Sequence, residues 1–435
     1  MTSLLFVGGV LVFVVGLAVS IGLHELAHLV PAKLFGRKVT QYFVGFGKTI
    51  WSTRRGETEY GVKAIPLGGY VKIAGGIPPS AVGQARTGST GMFAQLVADA
   101  RAAEYEGVGE GDHDRLFYVL PWWKKALTYL GGAVTNLVLA FLIFAFVFAA
   151  HGVATASTTV DSVSDCVIAA TAANVDKAPR KCTSADPVAP AKKAGIRSGD
   201  VIVSFNGVRI RSWSRLEKAI RSNESGAATI VVRRDGRLLT LHTNTTVSPR
   251  PESVDHPRTI IKVGFLGVSP AIVQVRHGPG YAAAQMGDYT WQTVKALGSF
   301  PTKLVGVTKA ALGIQQRSTD SPMSVVGASR FAGDLASNHS VPPSDRFFSI
   351  VLLLGALNLF LGVFNLVPLP PMDGGYVAGF VYEGIRNRIA LLRRRPNPGY
   401  VDVAKLLPVA YVMVAVIGVM SLVLIWADLV APVPT

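Results

Sequence analysis

The chain has 435 residues, of which 49% are hydrophobic and only 16% charged, and its formal net charge is +16. A mean hydropathy of +0.38 is too high for a purely water-soluble chain of two or three domains. The positive excess forms no basic helix and does not interleave with aromatics, which argues against nucleic acid and for loops facing anionic lipid.

The first apolar run covers 4–30 and no basic residue precedes it. It is longer than a signal-peptide core, so a membrane span is expected rather than a cleaved leader. Near its end stands Ile21-Gly22-Leu23-His24-Glu25-Leu26-Ala27-His28. Residues four apart share a helix face, so His24 and His28 can offer two imidazoles to one metal ion. Glu25 projects beside them, where it can act as a base toward water. Three ionisable groups about 20 residues into an apolar run are costly unless ligated or paired, which makes them functional candidates. The bland alternative is a helix end that has emerged into water.

Residues 1–38 thus form the first span, and 39–74 read as a small sheet of short strands punctuated by glycines. Residues 75–120 are rich in Gly, Ala and acidic side chains and read as a flexible loop. His113 between Asp112 and Asp114 is there expected to be solvated rather than a metal ligand. Pro121-Trp122-Trp123-Lys124-Lys125 reads as an interfacial anchor opening a second span, 121–150. Within it Gly131, Gly132 and Ala133 make a small-residue packing face. Asn136 needs a hydrogen-bond partner and is a candidate support for the metal site.

Residues 151–270 read as an extracytoplasmic domain. Its Cys166 and Cys182 are the chain's two cysteines. On an oxidising side they are expected to form a disulfide stabilising the fold by about 3 kcal/mol, with two free buried thiols and, last, a metal site as the competing readings. Then come a short helix ending at Gly195, the block Ala194-Gly195-Ile196-Arg197-Ser198-Gly199-Asp200-Val201-Ile202, and the hairpin signals Asn206-Gly207 and Asp235-Gly236. The succession resembles a PDZ domain, a fold that binds extended peptides by strand addition. Residues 271–346 follow as an amphipathic helical connector, broken near Pro301. Ser321–Gly327 within it is assigned no chemistry.

A third span, 347–375, ends in Asn365-Leu366-Val367-Pro368-Leu369-Pro370-Pro371-Met372-Asp373. The prolines stop the helix while still at membrane depth, where irregular backbone must line a cavity or be buried. Segment 376–405 is basic and 406–430 is a fourth span. Lys33, Arg37, Lys38, Lys124 and Lys125 flank the first connection, and Arg386, Arg388 and Arg393–Arg395 the last. The positive-inside rule puts both connections in the cytoplasm and both termini outside. Asp373 then lies at the same depth and side as His24 and His28. Two histidines and a carboxylate make a zinc set with a position left for water. Asp373 as a helix cap is the bland alternative. Asn358 and Asn365 share a helix face, and Asn365 is the better candidate for gripping substrate backbone.

Taken together, His24-Glu25-x-x-His28, Asn365-x-x-Pro368-x-Pro370-x-x-Asp373-Gly374 and the PDZ-like insert resemble the site-2 protease family. The likeness is to RseP-like bacterial intramembrane zinc metalloproteases, of actinobacterial type. The resemblance implies a polytopic α-helical membrane protein with four transmembrane helices, a membrane-associated β-loop and an extracytoplasmic PDZ-like α+β domain. It implies one Zn2+ per chain on His24, His28 and Asp373, with Glu25 activating water. Substrate main chain would meet Asn365, Pro370 and the β-loop at Ile65, Gly68 and Tyr70. The implied substrates are single-span membrane proteins such as anti-sigma factors, already cut once, with no nucleic-acid partner. Met372 and Gly131-Gly132 depart from the family's usual Leu and Gly-Pro. The competing readings are a PDZ-containing scaffold with a structural metal and a small-solute transporter. Neither requires Glu25 beside the first ligand.

Overall fold

The computed structural model describes residues 2–79, 97, 99, 101–102, 104–105, 108–171, 180–253, 259–318 and 320–433. The chain divides into two compact units, 1–150 with 278–435, and 151–277.

Four helices of the first unit are long and apolar enough to cross a membrane: span 1 (Thr2–Leu34), span 2 (Trp122–Ala150), span 3 (Pro343–Asn365) and span 4 (Val403–Val430). Small residues set how closely they approach. A Cβ on Gly131 would lie 2.3 Å from the Ala27 carbonyl oxygen, so spans 1 and 2 touch backbone to backbone there. Asn358, a candidate support residue whose alternative reading is a packing amide, ties span 3 to span 1. Its Nδ2 donates to Ser20 Oγ at 3.0 Å and to the Leu354 carbonyl at 2.8 Å. It sits about one helical turn from His24 and faces the helix interface, as a packing amide does.

The region expected as several short strands is one hairpin of two long bent strands, β1 (Val39–Arg55) and β2 (Thr58–Ile73). Residues 41–44 of β1 pair on one side with 69–72 and on the other with 59–62 of β2. Bends at Gly45, Gly47 and Gly68, all at positive φ, let two strands build a four-segment sheet. Tyr42 Oη anchors the sheet to span 1 by donating to the Gly22 carbonyl at 2.8 Å.

The loop expected at 75–120 lies outside the described residues at 80–96. Its remainder is more ordered than its composition suggests. Residues 97–105, where described, are helical, and 3-10 turns occupy Glu110–Arg115 and Phe117–Val119. Phe117 and Leu120 are buried with Phe380 and Ala404, and Asp112 pairs with Lys38 at 2.6 Å. Apolar residues at three-residue spacing and ion pairs to neighbouring elements outweigh the Gly/Ala background. The segment expected only as basic, 376–405, is largely a helix, Asp373–Leu392. The helical connector starts later than expected, because strand pairing runs to Val275. It breaks at Ser299 between Pro279–Gly298 and Phe300–Ala311.

In the second unit, strands β3 (Val153–Val163), β4 (Val201–Phe205), β5 (Val208–Arg209), β6 (Ala227–Arg234), β7 (Arg237–Asn244) and β10 (Val268–Val275) form one sheet in the order β10-β3-β4-β6-β7, with β5 on β4. β8 (Thr246–Pro251) and β9 (Ile260–Phe265) make a separate hairpin. Alternating residues Ile202, Ile230 and Val232 meet Leu216 and Ile220 of helix Trp213–Ser222 to form the core. Asn206-Gly207 and Asp235-Gly236 are turns with positive φ at both residues, as their sequences predict. Cys166 and Cys182 are joined as a disulfide.

Asp200 is a buried carboxylate of this unit. Both its oxygens accept from Arg234, Nε and Nη2 each at 2.7 Å, and Oδ2 also accepts Arg197 N–H at 2.8 Å. Burial pushes the carboxyl up, but the guanidinium and the amide outweigh it, so the pKa lies below the ordinary carboxylate range. A depressed pKa contributes stability above the unfolded-state value, and that stability is lost as pH falls through the folded value. Arg234→Met is therefore expected to lower the unit's stability at pH 7 by about 2 kcal/mol. Hydrogen exchange of the full chain, read on peptides spanning 201–205, should show about 30-fold faster opening. The gap from wild type should close as pH falls through the Asp200 pKa. Equal protection in both proteins at pH 7 would disprove the role.

Candidate active site

Span 1 supplies His24, Glu25 and His28 within little more than one helical turn. Asp373 comes from the turn after span 3 and opens the helix Asp373–Leu392. It is the first residue of that helix but does not cap it: Met372 holds the N-cap position, no side chain caps the helix, and the Asp373 carboxylate turns to the histidines instead. The turn is compressed: a Cβ on Gly374 would lie 2.5 Å from the Leu366 and Val367 carbonyl oxygens, and one on Gly375 2.4 Å from Pro370 N. Two side-chain-free residues let the backbone fold back and deliver Asp373 inward.

The three candidate ligand atoms form a nearly equilateral triangle. His24 Nε2 and His28 Nε2 are 3.3 Å apart, and Asp373 Oδ2 is 3.4 Å from the first and 3.5 Å from the second. Ligands about 2.0–2.1 Å from a tetrahedral zinc ion stand about 3.3–3.4 Å from one another. Asp373 Oδ2 is buried without a hydrogen-bond partner, an expensive state for a carboxylate oxygen unless a cation completes it. Among the described residues this is the one group of three with metal-ligand spacing, and Asp112, His113 and Asp114 are not part of it. The donor set, its separations and its orphaned oxygen all fit zinc.

The outer partners were partly missed by sequence reasoning. His28 Nδ1 lies 2.9 Å from the Thr128 carbonyl, so Nδ1 carries the proton and Nε2 presents its lone pair inward. A backbone carbonyl has no sequence signature. His24 Nδ1 lies 3.2 Å from the Asn136 side-chain amide. For His24 Nε2 to be a ligand, Nδ1 must donate, which calls for Asn136 Oδ1 to face it. That oxygen is buried and unpartnered on the far side, and a half-turn of the amide brings it to the imidazole N–H. Gly132 supplies the space: a Cβ there would lie 2.5 Å from His24 Cε1 and His28 Nε2.

Glu25 is buried next to the cluster. β2 passes so close that a Cβ on Gly69 would lie 2.7 Å from Glu25 Cγ. The same stretch of β2 carries the other sequence candidates. Ile65 is exposed, Gly68 packs on Phe46, and Tyr70 stacks on Phe43 at 5.6 Å. Pro370 is buried in the turn, and Asn365 is half-buried at the end of span 3, with no side-chain hydrogen bond among the described residues. Asn365 and Asp373 lie at the two ends of one turn, whereas Asn358 lies apart.

A set of candidate metal ligands with an adjacent carboxylate, among helices long and apolar enough to cross a membrane, is the arrangement of a membrane metallohydrolase. The chain matches peptidase family M50 over residues 12–409, and it belongs to that family. It is 36% identical to the zinc metalloprotease Rip1 of Mycobacterium tuberculosis, over 99% of both chains. It is 33% identical to Rip1 of Mycolicibacterium smegmatis, over 98% of both. Metalloprotease MmpA of Caulobacter vibrioides is 28% identical over 89% of this chain and 87% of its own. The protein is a multi-pass membrane metalloendopeptidase with a zinc cofactor.

Proposed function

We propose that this protein cuts single-span membrane proteins within or near their membrane segment, as the second cut of regulated intramembrane proteolysis. The observation that carries the reading is the converging triad of His24 Nε2, His28 Nε2 and Asp373 Oδ2, with Glu25 buried beside it. His24, His28 and Asp373 hold the zinc. When bound, zinc supplies Lewis acidity toward the scissile carbonyl and the attacking water. Glu25 takes the proton from that water on its carboxylate and passes it to the leaving nitrogen. Thr128 and Asn136 keep the imidazoles aimed.

A helical peptide bond is shielded by its own hydrogen bonds, so the substrate must be extended first. The segment 65–73 of β2 is an edge of the hairpin sheet, paired only with β1, and lies against Glu25. It suits strand addition, with Ile65, Gly68 and Tyr70 meeting the substrate and Asn365 and Pro370 meeting its main chain from the other side. Substrates of the anti-sigma-factor kind fit this reading. The domain layout follows: spans at 1–38, 121–150, 347–375 and 406–430, the β-loop at 39–74, and a PDZ-like unit outside the cell that screens substrates. The lysine and arginine bias supports a site facing the cytoplasm with both termini outside. A scaffold or transporter has no use for Glu25 in this position.

The test is direct. Purified full chain in detergent, given a single-span reporter, should release fragments whose masses place the cut in the membrane segment. Chelation should stop cleavage and added zinc should restore it. Cuts confined to the reporter's soluble parts would overturn the proposal.

A further inference from the structure

Lys125 and Glu383 take no part in that reaction, yet they are costly to keep. They form one of two ion pairs among the described residues in which both side chains are only 2% exposed. Lys125 Nζ donates to both Glu383 oxygens, at 2.7 and 2.9 Å, and Glu383 Oε2 also accepts Val401 N–H at 2.8 Å. The Tyr400 and Phe380 rings cover the ammonium at 4.8 and 5.6 Å.

The pair joins span 2, which carries the outer partners of both histidines, to the helix that Asp373 opens. Lys125 stands one helical turn before Thr128, whose carbonyl orients His28, on the same span as Gly132 and Asn136. Glu383 stands on the helix that Asp373 opens. The two helices run antiparallel in fixed steps. Trp122 sits where a Cβ on Gly384 would meet it at 2.5 Å, Lys125 faces Glu383, and Tyr129 packs on Phe380 and Tyr376.

The aromatic contacts alone would tolerate a slide, since ring can pack on ring one turn away. The ion pair would not, because displacement leaves a buried charge without its partner. A well-packed apolar pair would be as stable or more so, so stability does not account for charges here. Zinc ligands tolerate only about 0.2 Å of misplacement. We propose that Lys125–Glu383 is a register pin: it locks helix Asp373–Leu392 against span 2 so that Asp373 Oδ2 meets both histidines. The inference rests on the reading that His24, His28 and Asp373 hold the metal.

Full-length protein loaded with Co2+ tests both in turn. Wild type should show the visible bands of a four-coordinate site. Their absence overturns the metal-site reading, and the pin with it, whereas their presence isolates the pin. The double variant Lys125→Met/Glu383→Leu should then unfold thermally no earlier than wild type. It should nonetheless bind zinc about tenfold or more weakly in chelator competition, with altered cobalt bands. A folded double variant with wild-type zinc affinity and spectrum overturns the proposal. Should that variant not fold, Glu383→Gln decides. It keeps the shape but loses the charge, and unchanged zinc affinity there counts against the pin equally.

Discussion

Glu25→Gln is expected to slow peptide cleavage by about a thousandfold while zinc content stays near one per chain. The change keeps the shape of a side chain buried against β2, so the packing of Gly69 on Glu25 Cγ survives. It removes the one group beside the cluster that can take a proton from water and return it to the leaving nitrogen. The three ligand atoms come from other residues and keep their 3.3–3.5 Å separations. Cleavage rates of a single-span substrate, set against metal analysis of the same preparation, check both halves. A variant retaining a tenth of the wild-type rate would remove Glu25 from the proposed role.

The second large effect is expected at Gly132, from a single methyl group. In an ordinary helix interior, Gly→Ala stabilises by about 1 kcal/mol. Here the added Cβ would lie 2.5 Å from His28 Nε2 and His24 Cε1 and 2.6 Å from His24 Nε2. The imidazoles have little room to give, since His28 is tethered to the Thr128 carbonyl and His24 to Asn136. Overpacking of this kind costs about 1–3 kcal/mol, or about 5- to 150-fold in zinc affinity. Gly8→Ala is the control, because a Cβ there meets nothing within 4 Å. Chelator competition on both variants reads the difference. A Gly132→Ala protein that holds zinc as tightly as wild type would show that the histidines sit elsewhere when loaded.

The Gly131-Gly132 pair shows how far one sequence can be read. Small residues in a span announce close packing, and Gly131 does bring span 2 onto the Ala27 carbonyl. Its neighbour, 100° further round the helix, faces the imidazoles instead. Which glycine does which depends on the rotation of one helix against another, and hydropathy carries little of that information. The long hairpin reads in sequence as separate strands for a related reason. Glycines at 45, 47 and 68 mimic strand ends, whereas at positive φ they bend strands that continue. The expectation of a loop over 75–120 rests on composition, which weighs residues by number. Its order comes from a few of them, Phe117 and Leu120 in an apolar cluster and Asp112 on Lys38.

What the sequence by itself determined is local or set by membrane depth. Helical periodicity alone places His24 and His28 on one face with Glu25 beside them. The length of an apolar run sets how deep a residue lies, and that is enough to bring Asp373 to the same level as the histidines across more than 340 positions. Only the tertiary structure decided the rest. It gave His28 a backbone carbonyl to hold its Nδ1 proton, the glycine that makes room for the pair of imidazoles, and the burial of Lys125, which the flanking charge pattern counts as a free cation, against Glu383. Those outcomes depend on how helices rotate and slide against one another. That freedom is resolved by side-chain contacts between residues far apart in the chain, and no local pattern records it.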